Sequence, residues 1–291
     1  MDGIDVPVTE KTVLSSDGTE IAYYVAGHGP CAWILAPAMG APVLSMKHIF
    51  ERFHRDCTVV CWDMRGFHRS GPPPNPEAYA VDDHLADLAA VRDAEGLSSF
   101  VLGGWSMGVQ LSLEYYHRHR SDVRALVLIN GPYERALDAV MPAPWLEPAV
   151  LFTIGLARHL SPAMNLVSRR LLNLTMVTHA LEVGGLLAQR SDHFVALLDQ
   201  FRQVDWGRYL TVMGKLHEHS SAAHLGEVAV PTLVTAGGRD RMTPVAIAER
   251  LHRAIGGSEL FVIPEGTHYT PIEFGEALVE RIEPFLRALG E

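Results

Sequence analysis

The chain has 291 residues, 48% of them hydrophobic and 20% charged, enough to bury the core of one large domain. A formal net charge of −10 without a basic stripe argues against a nucleic-acid or anionic-membrane partner. The acidic start MDGIDVPVTEK has no apolar core behind it, so no secretory signal is expected, and no apolar run is long enough to predict a membrane span.

Residues 11–27 read as a β-hairpin, with strand patterns at 12–15 and 20–25 around the turn Ser16-Asp17-Gly18. Residues 31–35 form a short, continuously apolar strand, suited to a sheet covered on both faces. It runs into the small-residue loop Ala36-Pro37-Ala38-Met39-Gly40. A helix over 46–54 and a buried strand over 57–62 follow, and the Pro-rich stretch 71–76 can only be loop. Cys31, Cys57 and Cys61 all fall in these strand-like runs. An odd number of thiols and no signal point to free, buried cysteines in a reducing cytoplasm. Residues 81–95 carry apolar side chains at helical spacing, with acids in the first turn. A strand over 100–102, a helix to about Arg120 and a strand over 123–129 complete the first half. Residues 134–223 then show only helical patterns. Strand logic resumes at 232–236 and 260–263, with helices over 244–255 and 274–289. Strands alternating with helices predict an α/β fold with a mostly parallel sheet and helices on both faces. The expected division is a core of 1–133 and 224–291, with 134–223 inserted as a helical lid.

The pattern Gly104-Trp105-Ser106-Met107-Gly108 sits where the strand over 100–102 meets the next helix. A residue squeezed into such a turn is strained, so its neighbours two positions away must lack bulky side chains. This is the nucleophile-elbow pattern, and Ser106 is its nucleophile candidate. In a parallel sheet, loops at the carboxyl ends of strands gather over one crevice. Two other strand ends there carry Asp240, after Gly237-Gly238-Arg239, and His268, after Pro264-Glu265-Gly266-Thr267. A serine hydroxyl needs a base to take its proton, which is the role expected for His268. Asp240 would fix the imidazole tautomer and stabilise its charged form. Asp63 and Glu265 are rival acids, the first in the wrong chain order and the second only three residues from His268. An oxyanion needs preorganised donors. The Met107 N–H is one. Pro37 has none, so the second is expected from Ala38, or from Met39 if the loop is displaced by one. His217, His219 and His224 read as a polar surface segment, and no metal site or cofactor is expected.

These residues together resemble the α/β-hydrolase superfamily, in its branch of capped, cofactor-independent serine carboxylesterases. The resemblance rests on the elbow, on Asp63-Met64-Arg65-Gly66, on Asp240, and on Gly266-Thr267-His268 with Glu273 behind it. It covers about residues 11–132 and 225–290. The elbow is similar to those of bacterial carboxylesterases, including enzymes for acyl-carrier-protein methyl esters, and of perhydrolase-like members. A serine here separates the chain from the dehalogenase and epoxide hydrolase branches, which use an aspartate. Two departures stand out. The usual His-Gly after the third strand is Ala36-Pro37, which removes a histidine that normally braces the loop. His68 stands where a glycine is usual; it is expected to be exposed, with a reach toward the pocket mouth as the alternative.

Substrate preference is expected to reside in the lid, which is rich in apolar residues such as Leu146, Phe152, Leu160, Met164, Leu171 and Met176. Met39, Trp105 and Met242 near the site point to an apolar pocket, since methionine adapts to irregular apolar ligands. Arg158, Arg169, Arg170 and Arg190 read as a solvated helix face. The expected activity is hydrolysis of esters of apolar or medium-chain acyl groups through an acyl-enzyme. Thioester, lactone or amide hydrolysis, and a non-catalytic ligand-binding role on the same fold, are the alternatives.

Overall fold

The computed structural model describes residues 3–139, 144–170 and 172–289. Strand β1 (Thr9–Leu14) and strand β2 (Glu20–Ala26) form the antiparallel hairpin, closed by a turn in which Gly18 takes φ +85°. Strand β3 (Cys31–Ala36) leads through a single 3₁₀ turn to helix α1 (Lys47–Phe53). Strand β4 (Cys57–Trp62) and helix α2 (Val81–Ala94) follow. Strand β5 (Phe100–Trp105) runs directly into helix α3 (Met107–Arg118), and strand β6 (Val123–Ile129) closes the first half. β5 is longer than the apolar run 100–102, because Gly103 and Gly104 continue the ladder beside β3 and β6.

Between β6 and β7 the described residues contain helices and no strand. These are α4 (Glu147–His159), α5 (Ser161–Arg170), α6 (Leu174–Val183), α7 (Asp192–Phe201) and α8 (Trp206–His217). Asn173, Ser191 and Asp205 cap α6, α7 and α8 by accepting a backbone N–H in the first turn. Leu171 lies outside the described residues. Strand β7 (Thr232–Gly237), helix α9 (Val245–Ala254), strand β8 (Glu259–Ile263), the short helix α10 (Thr270–Glu273) and helix α11 (Gly275–Ala288) complete the chain. Helix α10 falls between the expected strand over 260–263 and the expected helix over 274–289.

The eight strands lie in the order β1-β2-β4-β3-β5-β6-β7-β8, antiparallel only at the β1–β2 and β2–β4 pairs. The chain moves outward from β3 to β4 and then returns to place β5 on the other side of β3. That reversal is a topological switch point, where loops diverge and leave a crevice above the sheet. Ala36 pairs in register with Gly104, so the 36–40 loop and the turn after β5 leave the sheet side by side. Apolar side chains fill both faces. α2, α3 and α9 cover one, with Leu102, Val109 and Leu251 among the buried residues. α1 and α11 cover the other, around Trp33, Phe50 and Ile282. All three cysteines are free. Cys57 and Cys61 are buried, but Cys31, at the start of its strand, is half-buried rather than buried.

Arg65 explains the Asp63–Gly66 run. Its buried guanidinium donates to both Asp87 carboxylate oxygens at 2.8 and 2.6 Å, to Asp17 at 2.9 Å and to the Ala78 carbonyl at 3.0 Å. A charge this deep is tolerated because its donors are paired. The network ties the loop after β4 to α2 and to the hairpin turn.

Candidate active site

Ser106 stands between β5 and α3 with φ +56° and ψ −119°, a sparsely populated conformation for a residue with a Cβ. The main chain over-determines it. Its N–H donates to the Ile129 carbonyl at 2.9 Å, and its carbonyl accepts from Val109 N at 2.9 Å. The flanking glycines are sterically required. A Cβ on Gly104 would collide with the Gly108 carbonyl, and one on Gly108 with the Ala36 carbonyl. The serine oxygen is thereby held at the N-terminus of α3.

The structure brings Ser106, His268 and Asp240 together. His268 Nε2 lies 2.9 Å from Ser106 Oγ, and His268 Nδ1 lies 2.9 Å from Asp240 Oδ2. Asp240 is buried and richly hydrogen-bonded. Its Oδ1 accepts the Met242 and Thr243 amides, both at 2.8 Å, and its Oδ2 accepts the Thr243 hydroxyl at 2.7 Å and Asn130 Nδ2 at 3.2 Å. Burial alone would disfavour the charge. The His268 hydrogen bond and charge, with the Thr243 donors, outweigh it and hold the carboxyl below its ordinary range. The rival acids are engaged elsewhere. Asp63 accepts the Tyr24 hydroxyl at 2.7 Å and the Arg69 amide at 3.1 Å, and exposed Glu265 pairs with Arg239.

Three neighbours orient His268. Trp105 Nε1 donates to its backbone carbonyl at 3.0 Å. Glu273 accepts the Thr267 hydroxyl at 2.7 Å and the Thr267 amide at 3.2 Å. Asn130, at φ +43°, also donates to the Thr267 carbonyl at 3.0 Å and to Thr270 Oγ1 at 3.0 Å. Asn130 and Thr243 escape sequence reasoning, although each carried a signal. Asn130 is a polar residue at a strand's carboxyl end, and Thr243 stands three residues after Asp240.

On the opposite side, Met107 opens α3, so its N–H has no acceptor within the helix. Ala38 and Met39 line the cavity over Ser106. Their loop is held by Met64 Sδ, which accepts the Gly40 N–H at 3.4 Å, and by His68, whose Nε2 lies 2.9 Å from the Gly40 carbonyl. His68 is exposed, yet its ring reaches back onto this loop.

The cavity measures about 120 Å³. Met39, Trp105 and Met242 line it, with Met242 39% exposed at its rim. The sequence-level reading missed Phe194, Leu197, Phe201 and Tyr209, which complete the wall from α7 and α8. Their helical spacing is that of ordinary core residues, so nothing in the sequence marks them. No Lys, Arg, Asp or Glu lines the cavity among the described residues. His217, His219 and His224 do not converge. His217 is buried beside Arg135 and Glu147, while His224 stacks on His117 at 3.6 Å next to Glu227, which already pairs with Arg120. The ligand atoms of His117, His224 and Glu227 fall within 4.8 Å of one another, away from the cavity.

The alpha/beta hydrolase fold family matches residues 37–274. A pimeloyl-[acyl-carrier protein] methyl ester esterase of Neisseria meningitidis is 25% identical over 82% of this chain and 88% of its own length. A proline iminopeptidase of Saccharolobus solfataricus is 24% identical over 78% of this chain and 75% of its own. Among solved structures, a thermophilic esterase from Thermogutta terrifontis superposes with a TM-score of 0.75 at 20% identity, covering 97% of this chain and 99% of that one.

Proposed function

Starting from the fact that the chain belongs to the alpha/beta hydrolase family, and so is a hydrolase, we propose that it cleaves carboxylic esters with a compact apolar acyl group. Ser106 is the nucleophile, His268 the base and Asp240 the acid that orients it. The observation that carries this reading is the unbroken relay from Ser106 Oγ through His268 to Asp240, with both contacts at 2.9 Å. Ser106 Oγ attacks the ester carbonyl carbon while His268 Nε2 takes the hydroxyl proton. The charge that develops on the carbonyl oxygen is met by the Met107 and Ala38 amides. Collapse expels the alcohol, which leaves with the proton held on His268. A water then repeats the sequence on the acyl-enzyme, returning Ser106 and releasing the acid.

The cavity narrows the substrate. A dry cavity of roughly 150 Å³ accepts benzene, so about 120 Å³ suits a short or branched acyl chain better than a medium one. The uncharged lining speaks against a substrate that must place an ammonium or a carboxylate there, since a buried charge needs a partner. Helices α4 to α8, over 134–223, serve in this reading as the cap whose α7 and α8 side chains close the acyl site.

The test is turnover of a p-nitrophenyl ester series from acetate to decanoate, beside a thioester, a lactone and an anilide. Activity should peak at the short esters, and Ser106→Ala should lower kcat at least about a thousandfold. Full activity in that variant would overturn the assignment, and a preference for the lactone or anilide would overturn the substrate class.

A further inference from the structure

The outer face of the helical insertion is built the wrong way round for a water-facing surface. Helix α4 has no buried residue, although its sequence is EPAVLFTIGLARH. Phe152 and Leu156 lie one turn apart on it, and Leu160 follows one turn later, so the three share a stripe. That stripe is exposed, with Phe152 at 72%, and Trp145 just ahead of the helix reaches 77%. Leu166 on α5 and Met176 on α6 are exposed as well. Contiguous exposed apolar patches mark interaction surfaces, whereas single exposed apolar residues do not.

Charge identifies what covers it. All 34 acidic residues of the chain lie outside the stretch from Pro148 to Leu181, which carries Arg158, Arg169 and Arg170. Arg158 pairs with Glu77, but Arg169 and Arg170 are exposed at the end of α5 without a carboxylate partner among the described residues, where Arg169 donates to the Gln203 carbonyl. The net charge of −10 is an average that this face does not share. Exposed Trp, Phe and Leu bordered by arginine, on helices none of which is alone long and apolar enough to span, although α4 and α5 reach that length and composition as a pair bent by 69°, describe an element that lies in a membrane interface. A second copy of the chain fits less well, because a symmetric contact would set these arginines against themselves.

We propose that the exposed stripe of Phe152, Leu156 and Leu160, with Trp145 ahead of it, docks on an anionic lipid bilayer, with Arg169 and Arg170 on the headgroups. The proposal stands independently of the role given to Ser106.

Co-sedimentation with vesicles of phosphatidylcholine, alone or with phosphatidylglycerol, tests it. The full chain should bind the anionic vesicles preferentially and be released by salt. Arg169→Gln with Arg170→Gln should weaken binding about thirtyfold, at about tenfold per 1.4 kcal/mol and about 1 kcal/mol per arginine. Phe152→Ser with Leu156→Ser should abolish it, both variants keeping the wild-type melting curve. Absence of binding at low salt, equal binding to neutral vesicles, or undiminished binding by both variants would overturn the proposal. So would a wild-type dimer, or a complex with an acidic carrier protein, that the Phe152 and Leu156 changes break while no vesicle binds.

Discussion

At Asp240 the sign of the pH dependence can be worked out. The folded carboxyl sits below its ordinary value of 3.8, so its stabilising contribution is fully present above 3.8 and fades only as the pH falls through the lowered value. Asp240 is therefore a carboxylate near neutral pH, and any loss of activity on mild acidification would come from another group. If Asp240 orients His268, Asp240→Asn should lower kcat by about three to four orders of magnitude, because the amide imposes the wrong tautomer. Glu265→Gln should leave kcat within about twofold, since Glu265 is exposed and bonded to Arg239. Steady-state kinetics of both variants on one short ester decide the matter. The Thr243 hydroxyl lies 2.7 Å from Asp240 Oδ2 and 3.2 Å from His268 Nδ1, and its single proton goes to the carboxylate.

Among the elements, the turn from β5 to α3 is the least forgiving. Gly108→Ala would drive a methyl group into the Ala36 carbonyl, which is backbone and can move only by shifting the end of β3. Overpacking of this kind costs about 1–3 kcal/mol. A urea melt should show that loss, and turnover should fall with it as the 36–40 loop shifts against Ser106. This turn was legible in the sequence because its steric demand is local and leaves a pattern of glycines. The strands were legible for a similar reason, since apolar runs such as the one in β3 bear on both faces of the sheet at once. Asp240 and His268 could be located because chain order and strand ends follow from topology. The cavity wall could not. Phe194, Leu197, Phe201 and Tyr209 are apolar or aromatic residues on amphipathic helices, and only the way α7 and α8 settle over the sheet turns them toward Ser106. His68 was hidden differently. Exposure and a bond to the Gly40 carbonyl are compatible, and no pattern in one sequence distinguishes an idle exposed histidine from one that reaches back.

For the molecule as a whole, the buried polar layer beneath α2 sets an acid limit on stability. His84 is fully buried, and burial first, then the nearby Arg65 charge, lowers its pKa from 6.5 to about 3. The unfolded chain takes up this proton below about pH 6.5 and the folded one does not until about pH 3, so stability falls as the pH drops through that window. The slope from this group is at most about 1.4 kcal/mol per pH unit. Asp87, whose carboxyl burial pushes up against the pull of Arg65, acts with the opposite sign and remains in any His84 variant. His84→Leu should therefore flatten the decline in denaturant midpoint between pH 6 and pH 4, and an unchanged slope would show that the ring is already charged in the folded protein.

Glu273 accepts both from the loop that carries His268 and from the segment between α6 and α7. Its carboxylate holds Thr267, next to His268, and also takes the Ala188 amide at 2.5 Å, while its backbone carbonyl accepts from the Gln189 side chain at 2.5 Å. The segment between α6 and α7 is thus pinned to the same residue that anchors the imidazole's loop. A displacement of that segment should therefore be felt at His268 through two bonds, coupling the seating of the helices to the alignment of the ring.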